Sequence, residues 1–397
     1  MKPTQLFKEF FNSEKSSGIL LILCTIASIV LANYFIGADY IEFWHRKAGF
    51  SFGSIDLHLS IEHWVNDGLM TVFFLLIGLE IERELYVGEL SSLKNAALPI
   101  VAAIGGMAAP AFIHFLLNNG SATENGFGIP MATDIAFALG VLSLAGKRVP
   151  LSLKIFLTAL AIIDDLGAIM IIALFYTGGL KMVYLLAALG IFALLLLLNR
   201  LKVHNLLPYL FGGLIMWYCM LQSGVHATIT GVLLAFAIPF GDGGKKSPSY
   251  ILQHLLHYPV AFIVIPVFAL ANTGILMNVP LWDVLGNNNS LGIIAGLIIG
   301  KPAGILLLCM LAIKLKLAKL PEGISWAQLA GAGILAGIGF TMSVFITLLA
   351  FSDPLSIQYS KIAILLSSLL AGVGGYLIIK MTTSANQRVS DTDEFDD

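Results

Sequence analysis

The sequence predicts an all-α polytopic membrane protein, and three observations carry that prediction. Hydrophobic residues make up 58% of the 397 and charged residues only 12%, against roughly a quarter charged in an average globular domain. Mean hydropathy is +0.89. The apolar residues also gather into about twelve runs, each near the ~20 residues that cross ~30 Å of hydrocarbon.

In chain order the runs lie near 18–36, 62–86, 95–116, 125–144, 151–176, 182–199, 205–221, 223–240, 249–275, 291–313, 325–351 and 356–380. The leader "KPTQLFKEFFNSEKSSG" carries acids and a Phe-rich amphipathic face, unlike a cleaved signal, so an interfacial helix is expected ahead of the first run. Between the first two runs, "FWHRKAGFSFGSIDLHLSI" alternates apolar and polar residues about Gly53-Ser54 and predicts a short outer β-hairpin within 41–61. Residues 1–381 read as one integral membrane unit. The tail 382–397 ends in "SDTDEFDD" and reads as a disordered acidic extension.

Loop charges set the orientation, because Lys and Arg accumulate on the cytoplasmic side. With both termini inside, the cytoplasmic set is Lys2, Lys8, Lys15, Arg83, Lys94, Lys147, Arg148, Lys154, Arg200, Lys202, Lys245, Lys246, Lys314, Lys316, Lys319, Lys380 and Arg388. Outside remain Arg46, Lys47, Lys181 and Lys361. An odd number of spans would scramble that separation. The net charge of −2 points to no nucleic-acid partner. Cys24, Cys219 and Cys309 lie within apolar runs without CxxC spacing, so neither a disulfide frame nor a zinc site is indicated.

The chemistry lies at mid-run. "TALAIIDDLGAIMIIALF" places Asp164 and Asp165 side by side, "MATDIAFALG" holds Asp134, and "LIIGKPAGILL" holds Lys301. An ionisable group at the bilayer centre costs about 2.5–3.5 kcal/mol even on the lenient insertion scale, so each is a functional candidate. A plain ion pair of one aspartate with Lys301 accounts for only part of the set. Burial raises a carboxylate's pKa and a nearby cation lowers it. A carboxylate balanced between these effects holds either a proton or a hard, oxygen-preferring cation, and competition for one site is exchange.

Two runs are interrupted. "NGFGIPMATDIAFALGV" carries Gly126, Gly128 and Pro130 before Thr133 and Asp134, and "GAGILAGIGFTMSVF" carries Gly331, Gly333, Gly337 and Gly339. Each is the middle member of a three-run group, 95–176 and 291–380, and the loop charges make the two groups run in opposite directions. Inverted repeats with broken helices place an ion site at the membrane midplane.

These residues resemble a known family, itself among the standard examples of inverted-repeat transporters. "MATDIAFALGVLSLAGKRVPLSLKIFLTALAIIDDLGAI", "FFLLIGLEIERELYVG", "SGVHAT", "LANTGI", "IIGKPAGI" and "GIGFTMSVFI" look like the NhaA-type sodium/proton antiporters over nearly the whole chain. The resemblance implies that Asp165 and Asp164 bind the transported Na+ or Li+ and carry protons. It places Asp134 and Thr133 in two crossed, discontinuous helices, and has Lys301 offset helix dipoles or pair with Asp164. It implies a bacterial inner-membrane homodimer joined through the outer hairpin, with alternating access between a core (95–176 and 291–380) and an interface region (182–275 with 62–86). No resident cofactor is expected. The partners are Na+, H+ and membrane lipid, and the activity is transport, not enzymatic catalysis.

The implied cycle takes cytoplasmic Na+ or Li+ against external protons. Two protons against one sodium is electrogenic, each net charge being worth ~2.3 kcal/mol per 100 mV. The second proton rides on Asp164 or on Lys301. The resemblance makes Glu80 and Glu84 candidates for a pH-sensing cytoplasmic funnel, although a solvated helix end also accounts for Glu80, Glu82, Arg83 and Glu84. His254 and His257 read as helix caps or as part of the same funnel, and His226 as a packing or tuning residue. The chain departs from enteric members at two places. They carry a Lys-Arg-x-Glu run where this chain has Tyr250-Ile251-Leu252-Gln253, and a base where it has Glu82. Two rival classes fit less well. An intramembrane aspartyl protease needs a GxGD motif that is missing, and a cation channel lines its pore with rings from several subunits.

Overall fold

A computed structural model describes residues 3–52, 55–146 and 149–393. Among these, nine helices are long and apolar enough to cross a membrane, and the bent pair Trp326–Ala336 with Phe340–Ala350 brings the number to ten. The two remaining expected runs are shorter than anticipated. The run at 205–221 is the 17-residue helix Leu207–Ser223, and 223–240 contains only the nine-residue helix Ile229–Ala237. At ~1.5 Å per residue the latter covers less than half of a ~30 Å hydrocarbon core.

Three boundaries differ from the sequence reading. The leader is no separate interfacial helix, for the helix Pro3–Val30 runs straight through it. No glycine or proline stands between Pro3 and Gly18 to stop it. The last helix spans Pro354–Asp393, so most of the tail expected to be disordered has helical backbone. Once nucleated, a helix without a breaker propagates at one hydrogen bond per residue. The region 41–61 opens with the end of the helix Ala38–His45, and the hairpin occupies 47–60. Its pairs Lys47↔Ser60, Ala48↔Leu59, Ser51↔Asp56 and Phe52↔Ile55 keep one antiparallel register. The expected turn, Gly53-Ser54, lies outside the described residues, as do Lys147 and Arg148 of the cytoplasmic set.

The chain forms two compact units. One comprises Met1–Ile19, Ser92–Ala168 and Pro280–Asp397, and the other Leu20–Ser91 and Ile169–Val279. In the second unit Ile229–Ala237 lies against Met70–Tyr86 with backbone almost touching backbone: a Cβ on Gly231 would come within 2.2 Å of the Thr71 carbonyl oxygen. Leu79, Tyr209, Met216, Ala235 and Ile238 close its core. Asn66 and Asn272 exchange side-chain amide hydrogen bonds there.

In the first unit the helix Leu93–Asn118 lies along Asn288–Ala295 and Lys301–Lys314, while Trp326–Ala336 packs on Pro354–Asp393. A π-turn, Gly296–Gly300, separates the two segments of that partner helix. Its cause is Pro302. Proline has no N–H for the carbonyl four residues back, and its ring clashes with that carbonyl. The extra residue relieves the conflict, and the Lys301 N–H bonds to Gly296 O instead. The same device, Val260–Val264, precedes Pro266 in the other unit.

Candidate functional site

The site is assembled in the first unit from two interrupted helices. Glu124–Met131 is a 3-10 helix containing Gly126, Gly128 and Pro130, residues that stabilise an α-helix poorly. The chain then runs extended to Asp134, which caps Ile135–Leu144 by accepting from the Phe137 N–H at 2.9 Å. The other interruption falls at 337–339, between Trp326–Ala336 and Phe340–Ala350, with a 43° bend. Gly337 is required there, since a Cβ would stand 2.4 Å from the Leu297 carbonyl oxygen.

The two breaks meet. The Asp134 N–H donates to Ile338 O at 2.7 Å, Thr133 Oγ1 to Ala336 O at 3.0 Å and Ser343 Oγ to Ile129 O at 2.7 Å. Asp134 Oδ2 accepts from the Thr341 N–H at 3.1 Å and from the Thr341 hydroxyl. One carboxylate therefore answers the exposed N–H groups of two helix starts, where the helix dipole favours negative charge.

Asp164 and Asp165 come from the middle of Leu151–Phe175, and both are buried. Asp164 Oδ2 lies 2.8 Å from Lys301 Nζ and 2.7 Å from Thr133 Oγ1. Its other oxygen, Oδ1, is buried without a hydrogen-bond partner. Lys301 also donates to the Met131 carbonyl at the end of the 3-10 helix. The lysine thus does both things open to it, pairing with Asp164 and facing the negative end of a helix. Thr133 has one hydroxyl proton for two acceptors within reach, Asp164 and Ala336 O. Carboxylate, hydroxyl and carbonyl oxygens held together in this way are the donor set of a hard cation.

A family model described as Na+/H+ antiporter 1 matches residues 8–379. The chain belongs to the Na+/H+ antiporter 1 family. It is 60% identical over 380 residues to the Na(+)/H(+) antiporter NhaA of Flavobacterium psychrophilum, covering 96% of this chain and 97% of that one. It is 57% identical over 389 residues to Na(+)/H(+) antiporter NhaA 1 of Flavobacterium johnsoniae, covering 98% and 100%. With the Na(+)/H(+) antiporter NhaA of Dechloromonas aromatica it shares 59% identity over 380 residues, 95% and 96% of the two chains.

The remaining site candidates belong to the other unit. Glu82 is no solvated end residue: it is 4% exposed and accepts from Ser249 Oγ at 3.2 Å. Glu80 is partly covered, and Glu84 accepts from the Glu89 N–H at 2.9 Å. Arg83 lies 5.3 Å from the Tyr250 ring centroid and donates to Gln253 Oε1 at 3.4 Å, while Ile251 is exposed. Neither histidine caps the helix Pro248–Pro259; Ser247 does, and His254 stacks on Tyr250 while His257 packs edge-on against Tyr258. His226 Nε2 is 2.8 Å from Tyr176 O.

Sequence reasoning passed over Thr341, Ser343, Ser249 and the carbonyls of Met131 and Ala336. Thr341 and Ser343 had a visible signal. They follow the Gly337–Gly339 break directly, where backbone groups lose their helical partners.

Proposed function

We propose that this chain exchanges cytoplasmic Na+ or Li+ for external H+ by competition at Asp164 and Asp165. Sodium/proton antiport is the activity of the family to which it belongs, so the chain is a transporter and not an enzyme. The observation that carries the carboxylate reading is the buried Asp164 oxygen, shared by Lys301 Nζ and Thr133 Oγ1 where two broken helices meet. When the acids are protonated, Lys301 is relieved of its counter-charge. When a cation arrives it meets the carboxylate, the Thr133 hydroxyl and the Ala336 carbonyl, and the protons leave. Proton and cation neutralise the same oxygens, so they exclude one another.

In this reading 95–176 and 291–380 are the inverted, ion-carrying repeats, with their discontinuous helices crossing at mid-membrane. Residues 62–86 with 182–275 form the interface region, and the span number is twelve with both termini cytoplasmic. The protein resides in a bacterial inner membrane, acts in sodium and pH homeostasis, and pairs with a second copy through the 47–60 hairpin. Glu80, Glu84, His226, His254 and His257 tune its pH response. Exchange is electrogenic, with two protons per sodium.

Purified protein in acid-loaded vesicles with a pH-sensitive dye tests this. Added Na+ or Li+ is expected to drive proton efflux at a rate that responds to an imposed membrane potential. Proton movement indifferent to Na+ and Li+ overturns the reading, and a rate indifferent to potential overturns its stoichiometry.

A further inference from the structure

Lys301 is aimed from a seam of small residues packed backbone to backbone. Along the Leu93–Asn118 helix, Gly105, Gly106 and Pro110 face Gly304, Ile305, Gly300 and Gly296 of the partner helix. A Cβ on Gly105 would come within 2.2 Å of Gly304 O, and one on Gly304 within 2.1 Å of Gly105 O. Backbones brought this close gain dispersion energy, and the matched glycines permit the approach at this alignment. The π-turn Gly296–Gly300 joins the Asn289-bearing segment directly to Lys301.

Directional bonds cross the seam at its Asn118 end. His114 Nε2 is 3.0 Å from Asn289 Oδ1, and Asn118 Nδ2 donates to Asn288 O at 3.2 Å. Asn289 Nδ2 in turn donates to Ser360 Oγ at 2.8 Å, and Ser360 to Ser356 O at 2.7 Å. His114, Asn118, Asn289 and Ser360 are all buried. The imidazole is also wedged: a Cβ on Gly126 would lie 2.9 Å from its Cε1, and one on Gly292 2.8 Å from its Cδ2. Gly126 belongs to the 3-10 helix that ends in the Met131 carbonyl. The same imidazole therefore touches the two segments that deliver Lys301 and its carbonyl acceptor.

Buried polar groups cost free energy that apolar side chains of similar size do not. Their best-attested return is registry, a single polar contact selecting one alignment of otherwise sliding helices. We propose that His114 and Asn289 are positioning residues for ion exchange: their hydrogen bond pins the axial register of the Lys301-bearing helix and so aims Lys301 at Asp164. The proposal rests on the reading of Lys301 and Asp164 given above.

The test compares His114→Leu, Asn289→Leu, His114→Gln and Lys301→Ala in vesicles, reading maximal rate, apparent KM for Na+ and the pH profile. His114→Leu and Asn289→Leu each remove the bond, with an expected three- to tenfold rise in apparent KM and a displaced pH profile, on the order of what one buried hydrogen bond allows. His114→Gln keeps an N–H donor near the Nε2 position and is expected to restore both. A purely structural role lowers the amount of folded protein and its maximal rate, leaving KM and the profile in place, and that result overturns the proposal. So does a His114→Gln variant as defective as His114→Leu. If the leucine variants do not fold, Ser360→Ala, which removes the next bond in the chain, is read by the same criteria, and an unchanged KM and profile there overturn the proposal. Lys301→Ala separates the two levels. Exchange unaffected by Lys301→Ala defeats the site reading itself, whereas exchange lost in Lys301→Ala but normal in the His114 and Asn289 variants defeats only the register proposal.

Discussion

Lys301 Nζ stands 2.8 Å from Asp164 Oδ2, and neither side chain has any exposure to solvent. A buried ion pair adds little net stability, because desolvation offsets most of the attraction, whereas removing one partner strands the other. The pair is therefore poised: whatever neutralises Asp164 also decides whether Lys301 has a counter-charge.

Thr133→Val removes the hydroxyl between Asp164 and Ala336 O while keeping the side-chain shape. A hydrogen bond to a charged group contributes about 1.5–3 kcal/mol, so the apparent affinity for Na+ is expected to fall roughly 10- to 100-fold. Initial rates of Na+-driven proton efflux against Na+ concentration measure it. An affinity within twofold of the parent removes Thr133 from the site.

Thr341→Val leaves Asp134 its backbone donors but takes one hydroxyl bond to a charged group away, at a cost of about 1.5–3 kcal/mol. The expected result is a modest loss of thermal stability in detergent with exchange retained. Asp134→Ala, which strips both helix starts of their acceptor, is expected to lose several times as much. Equal effects from the two variants contradict the assignment of Asp134 as a shared cap.

Gly231→Ala probes the second unit. Its Cβ has nowhere to go beside Thr71 O, and overpacking of this kind costs about 1–3 kcal/mol. A melting temperature equal to the parent's would mean that the Ile229–Ala237 helix is free to move aside.

By the family resemblance, Glu82, Tyr250 and Ile251 stand where enteric members carry bases, and Gln253 where they carry a Glu. With Arg83 engaged by an aromatic ring and an amide, the pH response is expected to differ in midpoint or steepness from that of an enteric member. Glu82→Gln is expected to change it again. Activity curves measured side by side between pH 6 and 9 decide this, and superimposable curves contradict it.

Asp353 lies outside the spans. Hydrogen bonds from the Ser356 hydroxyl and then the Ser356 N–H hold its carboxyl below the ordinary carboxylate range. A depressed carboxylate contributes stability that is present above its unfolded value, about 4, and is lost as pH falls through the lower folded value. Ser356→Ala is accordingly expected to lower stability slightly at pH 7 and to have no effect once Asp353 is protonated. A deficit independent of pH contradicts that origin.

The membrane class, most spans, both glycine breaks and the four buried ionisable groups were legible because each is a local departure from apolar composition. Partner choice was not. Apart from their place after the Gly337–Gly339 break, Thr341 and Ser343 look no different in sequence from Thr25, Thr158 or Ser367, whose hydroxyls simply bond the carbonyl four residues back. That Lys301 meets Asp164 was implied by the family resemblance, not by the residues themselves, and the pair stands 2.8 Å apart. The burial of Glu82 depends on Ser249, far away in the chain. Short helices such as Ile229–Ala237 are obscured because loop and helix there are equally apolar.

The most direct measurement is Na+-driven proton efflux from vesicles holding the Asp164→Asn, Asp165→Asn double variant. The amides keep shape and burial but carry no charge and exchange no proton, so cation and proton no longer compete for one charge. Efflux is expected to drop to the protein-free background while folding and insertion are retained; exchange at the parent's rate would contradict competition at these two acids.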